Sequence, residues 1–309
     1  MAKKIFLSLL LIFSFFNFKN LNAIENKILF KVDNYIITSL DIKKEVKYLK
    51  AVNQKIKSLS KNQILEIAKN SLIKEKLKEI KILTFVKKIE VEEIYLENLI
   101  NNIKKSNNLK NTEELKKYLI NNDVKYEYMI KKLSIETLWN KFIFDNFSSK
   151  VKINKKLIEK QVKNNKNYIT QYNLSEIVFD ISEGENQKEK FLQIKKNIEN
   201  FGFEKTALTF SISASANQGG KIGWISENSL NEKLSNEINK LKLGEYTNPI
   251  VIPGGFIIIK LDEIKKEEKK IDVEKEIEKI IIFKTNEQLN TFSNIYLKKI
   301  MKDHNIENI

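Results

Sequence analysis

The chain has 309 residues and 42% hydrophobic content, enough for more than one packed core. It contains no cysteine, which excludes disulfide staples, a thiol nucleophile and lipid attachment at a processed N-terminal cysteine. Its formal charge is +15, yet every fixed cation is a lysine, and without arginine it lacks the bidentate forks that read bases and phosphates. With asparagine and isoleucine also abundant, the lysine excess reads as a solvated surface rather than a nucleic-acid face. A weak attraction to acidic surfaces is the alternative.

In chain order, Lys3 and Lys4 precede an apolar run over residues 5–16, broken only by Ser8 and Ser14. A polar stretch follows and ends at Leu21-Asn22-Ala23. This is the form of a secretory signal over residues 1–23, with cleavage expected near Ala23. The run falls short of the roughly 18 apolar residues that a membrane anchor needs, so export without stable membrane insertion is expected. Loss of Lys3, Lys4 and Lys19 with this acid-free segment lowers the charge from +15 to +12.

Next, residues 28–32 and 35–37 are β-type runs around the turn Asp33-Asn34. Thr38-Ser39-Leu40-Asp41 has the spacing of a capping box and starts a helix carrying Ile42, Val46 and Leu49. A second helix places Ile64, Leu65, Ala68, Leu72, Ile73, Leu77 and Ile80 on one face. A third carries Val91, Ile94, Leu96 and Ile100, a shorter one begins at Asn111, and a long one runs over about residues 124–147. Residues 155–164 read as a mostly polar helical lead-in.

All eight glycines and both prolines fall between Gly184 and Gly255, so a turn-rich module interrupts otherwise uninterrupted helices. The spacing predicts a strand over 174–179 and helices over 185–200, 203–210 and 231–241. The glycine-rich turn 218–224 and a hairpin over 250–261 complete the order β-α-α-β-α-β-β. Beyond Glu263 the chain is again free of glycine and helical. The only histidine, His304, lies near the C-terminus, so a histidine triad or His-rich metal site inside a core is not expected. No phosphate-loop spacing accompanies the glycines, and no cofactor is indicated.

The residues Phe203-Glu204-Lys205, Ala207, Ser211-Ile212-Ser213-Ala214-Ser215, Gly219-Gly220-Lys221-Ile222-Gly223-Trp224, Leu243-Gly244-Glu245 and Pro253-Gly254-Gly255-Phe256-Ile257-Ile258 together resemble the parvulin family of peptidyl-prolyl isomerases. The likeness covers residues 166–265. More loosely, the flanks resemble SurA-type periplasmic chaperones, with residues 37–41 near the start and 296–306 as the closing helix. The resemblance implies an α+β fold in which a mainly helical core, residues 24–165 completed by 266–309, carries an inserted parvulin-like domain. It also implies the periplasm as location and unfolded envelope proteins, outer-membrane β-barrel proteins above all, as clients.

In active parvulins the first strand holds a histidine, the segment after the second helix a cysteine or aspartate, and the last strand a histidine. Here Glu176, Ser213 and Ile257 stand at those positions. The apolar proline pocket is better kept, in Ile222, Leu230 and Leu234, residues that ordinary core packing would also explain. Rotation about an X–Pro bond faces a barrier of about 18–20 kcal/mol and needs neither nucleophile nor metal. Without the polar trio, little preferential grip on the twisted imide is expected, so weak or absent isomerase activity is the reading; a working isomerase is the alternative. The holding activity needs only exposed apolar side chains and no ATP site. Its candidate lining is Tyr126, Tyr128, Trp139, Phe142, Phe144 and Phe147, whose competing role is core packing.

Overall fold

A computed structural model describes residues 26–164, 169–181, 185–267 and 272–309. The expected signal over 1–23 and Gly184 lie outside the described residues. Strand β1 (Ile28–Val32) turns through Asp33, at φ +50°, into β2 (Tyr35–Thr38). Aspartate tolerates this left-handed conformation better than most side chains. Thr38 then caps α1 (Ser39–Val52): its hydroxyl accepts from the Asp41 amide while the Asp41 carboxylate accepts from the Thr38 amide. Ser60 and Gln63 repeat the device at α2 (Lys61–Ile82). Helices α3 (Glu93–Ser106), α4 (Thr112–Asn121) and α5 (Tyr126–Phe147) follow, then α6 (Lys155–Asn164).

The predicted module keeps its expected order. Strand β3 (Ile169–Phe179) leads to α7 (Gln187–Phe201), α8 (Phe203–Phe210), β4 (Lys221–Ser226), α9 (Glu232–Ile238), β5 (Ile250–Ile252) and β6 (Gly255–Glu267). These strands form an antiparallel sheet in the order β4-β3-β6-β5. Strand β6 runs on to Glu267, beyond the hairpin expected to end near 261, because it pairs with β3 along its whole length. The chain closes with α10 (Val273–Asp303), longer than α5, and with β7 (Ile306–Asn308).

Ile306, expected on the closing helix, lies instead in β7, which pairs antiparallel with β1. His304 explains the break. Its Nδ1 lies 2.5 Å from Asp33 Oδ2, and the Asn305 amide donates to Asp33 Oδ1 at 2.9 Å, so the chain turns onto the β1–β2 hairpin. The two ends of the described chain are thereby stitched into one sheet, β2-β1-β7. Phe30 and Val32 from its start share one apolar core with Leu72, Leu77, Leu133 and Trp139, and with Leu297 and Ile300 of α10. The polar-looking α6 also buries Ile158 and Val162, against Ile280 of α10. No helix of the described residues is long and apolar enough to cross a membrane.

Candidate functional site

The period-2 alternation of β3 sends Tyr172, Leu174 and Val178 to one face of the four-stranded sheet and Ile177 and Phe179 to the other. Helices α7 and α8 cover the second face through Ile194, Ile198, Phe203 and Ala207. On the first face Ile257, Ile259 and Leu261 of β6 meet Leu230, Leu234 and Ile238 around α9. Ile222 of β4 packs at the edge of this hollow, half-buried. The three residues expected to line a proline pocket therefore share one apolar surface, with Leu230 and Leu234 well enclosed.

Glu176 falls on the same face, between Leu174 and Val178. Strand β4 pairs with β3 only as far as Ser175, and the segment after α8 occupies the edge beyond it. The Glu176 amide donates to the Gly220 carbonyl at 2.7 Å and the Ile212 amide to the Val178 carbonyl at 2.7 Å. A Cβ on Gly220 would stand 2.1 Å from the Glu176 carbonyl oxygen, so only glycine permits this approach, at φ +79°.

Along that segment the alternate serines point the same way. The Val178 amide donates to Ser211 Oγ at 3.0 Å; Ser211, Ser213 and Ser215 hydroxyls stand 2.9 and 2.8 Å apart; and Ser215 Oγ donates to Glu176 Oε1 at 2.8 Å. If each hydroxyl donates to the next, every serine hydroxyl both accepts and donates, and the chain of dipoles ends on a carboxylate. Loss of solvent pushes the Glu176 carboxyl above its ordinary value, against the hydrogen bonds of Ser215 and Ser213. Ile259 stands opposite Glu176 on β6, and Ile257, paired with Val178, lies two residues along on the same face. Glu176 and Ser213 are thus joined by a carboxylate–serine ladder, with Ile257 on the same face of the sheet. The Ser-x-Ser-x-Ser spacing carried the signal for Ser211 and Ser215, since alternate residues of an extended segment face one way.

The six aromatics considered for a client groove lie on α5, and five of them are engaged in packing. Trp139 is 1% exposed and donates through Nε1 to Ser293 Oγ at 2.8 Å. Phe142 stacks on Phe85 and lies against Tyr296; Phe147 stacks on Phe292. Tyr128 donates to Glu45 at 2.8 Å, and Tyr126 bonds Glu93 with Lys116 over its ring. Phe144 alone of the six is open to solvent, 53% exposed. Other large apolar side chains are exposed in the same helical region, among them Ile94, Tyr95 and Ile120.

Beside the hollow, a cleft of about 610 Å³ opens between α6, the turn before α9 and α10. Leu230 and Leu157 give it apolar wall, while Asn154, Asn231 and Gln288 supply amide groups; Lys284, also on its wall, donates to the Ser229 carbonyl at 2.6 Å. Such a mixture suits the main chain of an extended peptide with apolar side chains at intervals. This cleft is not legible in the sequence, because its walls come from three distant segments.

Residues 173–263 match the rotamase family described as the PPIC-type PPIase domain. A chaperone SurA of Burkholderia pseudomallei (strain 1710b) is 32% identical over 97 residues, 30% of this chain and 22% of its own length. The foldase protein PrsA of Bacillus subtilis (strain 168) is 32% identical over 108 residues, 34% of this chain and 35% of its own. A solved structure from a study of two SurA-like chaperones of Campylobacter jejuni covers 92% of this chain and 99% of its own, at 20% identity and a TM-score of 0.35. The chain matches about a fifth of the length of the first SurA relatives. The middle segment is thus similar to PPIC-type domains, and over part of its length the chain is similar to SurA and PrsA proteins.

Proposed function

We propose that this chain is an ATP-independent periplasmic chaperone that holds unfolded envelope proteins, outer-membrane β-barrel proteins among them. Its PPIC-type domain serves mainly to grip peptide and is weak or inactive as an isomerase. One observation carries the reading: the apolar hollow of Ile222, Leu230 and Leu234 is kept, while the three positions that hold the polar trio in active parvulins carry Glu176, Ser213 and Ile257 instead. A holding chaperone needs only higher affinity for unfolded than for folded clients. The amide-lined cleft and the exposed side chains of Ile94, Tyr95, Ile120 and Phe144 supply such contacts. Micromolar binding corresponds to about 8 kcal/mol, within reach of a few apolar anchors. The relatives named SurA and PrsA support this reading, which includes a division at about residues 166–265 and export with release near Ala23.

The Glu176–serine ladder favours a second reading, a working isomerase in which this carboxylate replaces the missing polar trio. Two measurements on the chain from residue 24 onward separate them. Suppression of aggregation of an unfolded β-barrel protein is expected at near-stoichiometric ratios, with little acceleration of a proline-peptide isomerisation. A clear rate gain that Leu230→Ala removes would favour the second reading, and no suppression at any ratio would defeat the first.

A further inference from the structure

A side chain from the far end of the polypeptide packs on the cluster that forms the hollow. Phe283 of α10 packs against the cluster that contains Leu230, Leu234 and Ile257. Its neighbours on the helix serve other partners. Ile277, Ile280 and Ile281 face α6, whereas Leu289, Tyr296, Leu297 and Ile300 join the core of the helical region. Phe283 is therefore the one apolar side chain of α10 given to the sheet cluster among the described residues.

Two lysines of the same helix hold it there. Lys284 Nζ donates to the Ser229 carbonyl at 2.6 Å, immediately before Leu230. Lys298 Nζ lies 2.7 Å from Asp180 Oδ2 and donates to the Gly254 carbonyl at 2.5 Å. Fourteen residues separate these lysines, about 21 Å along a helix. The helix thus spans the sheet from the turn before α9 to the tip of the β5–β6 hairpin. Glu287, one turn beyond Phe283, brings a second negative charge toward Glu176, which works against closure.

We propose that α10 is an internal plug: Phe283 occupies the position of a client's aromatic side chain, and an unfolded segment carrying an aromatic residue beside proline must displace it to reach Leu230 and Leu234. This rests on the reading of the hollow as a peptide site. Closure depends on one aromatic ring and two lysine contacts, groups that an extended peptide can replace. The displaced helix need not unfold, since Leu297 and Ile300 anchor its second half in the other core.

The probe is a fluorescein-labelled Ala-Phe-Pro-Phe peptide titrated into the chain from residue 24 onward, read by anisotropy. Affinity for a site that is open only part of the time falls by the open fraction. We expect Phe283→Ala to tighten binding about tenfold, as for a plug closed in about nine molecules of ten. The double variant Lys284→Ala, Lys298→Ala leaves Phe283 and the hollow intact and is expected to tighten binding in the same direction. Leu230→Ala added to Phe283→Ala is expected to abolish the gain. Binding that Leu230→Ala weakens but neither opening variant tightens would overturn the plug and leave the peptide site standing. No binding of the probe by any of these proteins would overturn both. A Phe283→Ala protein that fails to fold, judged by circular dichroism, leaves the lysine double variant to decide.

Discussion

Lys132 offers the sharpest test of how the helical region is held together. Its ammonium lies on α5, 2.7 Å from Glu45 Oε2 of α1, and it also pairs with Glu75 of α2. The rings of Tyr48 and Tyr128 stand 5.0 and 5.4 Å from it. Glu45 is wholly buried and accepts from Ser71 Oγ at 2.6 Å and from Tyr128 OH at 2.8 Å. Burial alone would pull the lysine down, and the charges of Glu45 and Glu75 more than reverse it. At 2.7 Å and an effective dielectric of about 20, one such pair attracts by about 6 kcal/mol before desolvation is counted. Desolvation offsets most of that gain, so the visible effect of losing the lysine is two stranded carboxylates. Lys132→Met, similar in length, is therefore expected to cost about 3–5 kcal/mol. With a urea slope of about 2 kcal/mol/M, the midpoint falls by about 2 M. Trp139 reports on this core when Trp224 is replaced by Phe. Adding Glu45→Gln and Glu75→Gln to Lys132→Met is expected to restore most of the loss, because no charge is then left behind. The deficit of Lys132→Met also shrinks in acid. Burial already holds the Glu75 carboxyl above its ordinary value, and an acid so raised loses stability as pH rises. A cost below about 1 kcal/mol at neutral pH would refute the buried-charge argument.

Glu176→Gln keeps an acceptor for Ser215 while removing the charge. The folded-state value of Glu176 is raised, so its carboxylate destabilises the fold as pH climbs above the unfolded 4.5. The variant is expected to match the parent in thermal melting at pH 4 and to exceed it at pH 7.5; an equal difference at both would point to packing instead. Gly220→Ala would set a Cβ 2.1 Å from the Glu176 carbonyl oxygen at φ +79°, whereas Gly223→Ala, at φ +90°, meets nothing within 4 Å. Urea titration is expected to show about 1–2 kcal/mol lost for Gly223→Ala, from backbone conformation alone, and a clearly larger loss for Gly220→Ala. Equal losses would mean that the close approach carries no energy. Phe144→Ser is expected to change stability by less than about 0.5 kcal/mol and to weaken client holding, while Trp139→Ala costs about 3–5 kcal/mol. Unchanged aggregation suppression by Phe144→Ser would remove that residue from the client surface.

Much of the architecture was written locally and could be read that way. Thr38 and Asp41 form a capping box because each satisfies the other's backbone amide, a relation confined to four residues. The order β-α-α-β-α-β-β is marked by glycines at turns and by alternation within β3 and β6. The joining of Glu176 and Ser213, with Ile257 on the same face of the sheet, followed from matching positions in a known motif. Features set by distant partners were hidden. Nothing near Ile306 announces a strand, since its pairing partner, β1, lies at the other end of the chain. Aromatic residues on α5 were equally suited to a groove or a core, and only the arrival of Phe85, Phe292 and Tyr296 decides which of them face inward.

Helix α10 shows why a site can be legible when its control is not. A helix that buries one stripe against one partner repeats apolar residues at a single helical period. This one meets three partners in succession: α6 through Ile277 and Ile280, the sheet cluster through Phe283, and the helical core through Leu297 and Ile300. Its apolar positions therefore precess around the axis, and no single face stands out in the sequence. The same division makes the plug possible. A helix held along one continuous stripe could not release Phe283 without giving up its whole interface. A helix held in separate patches can loosen at Phe283 and Lys284 while Leu297 and Ile300 keep their places.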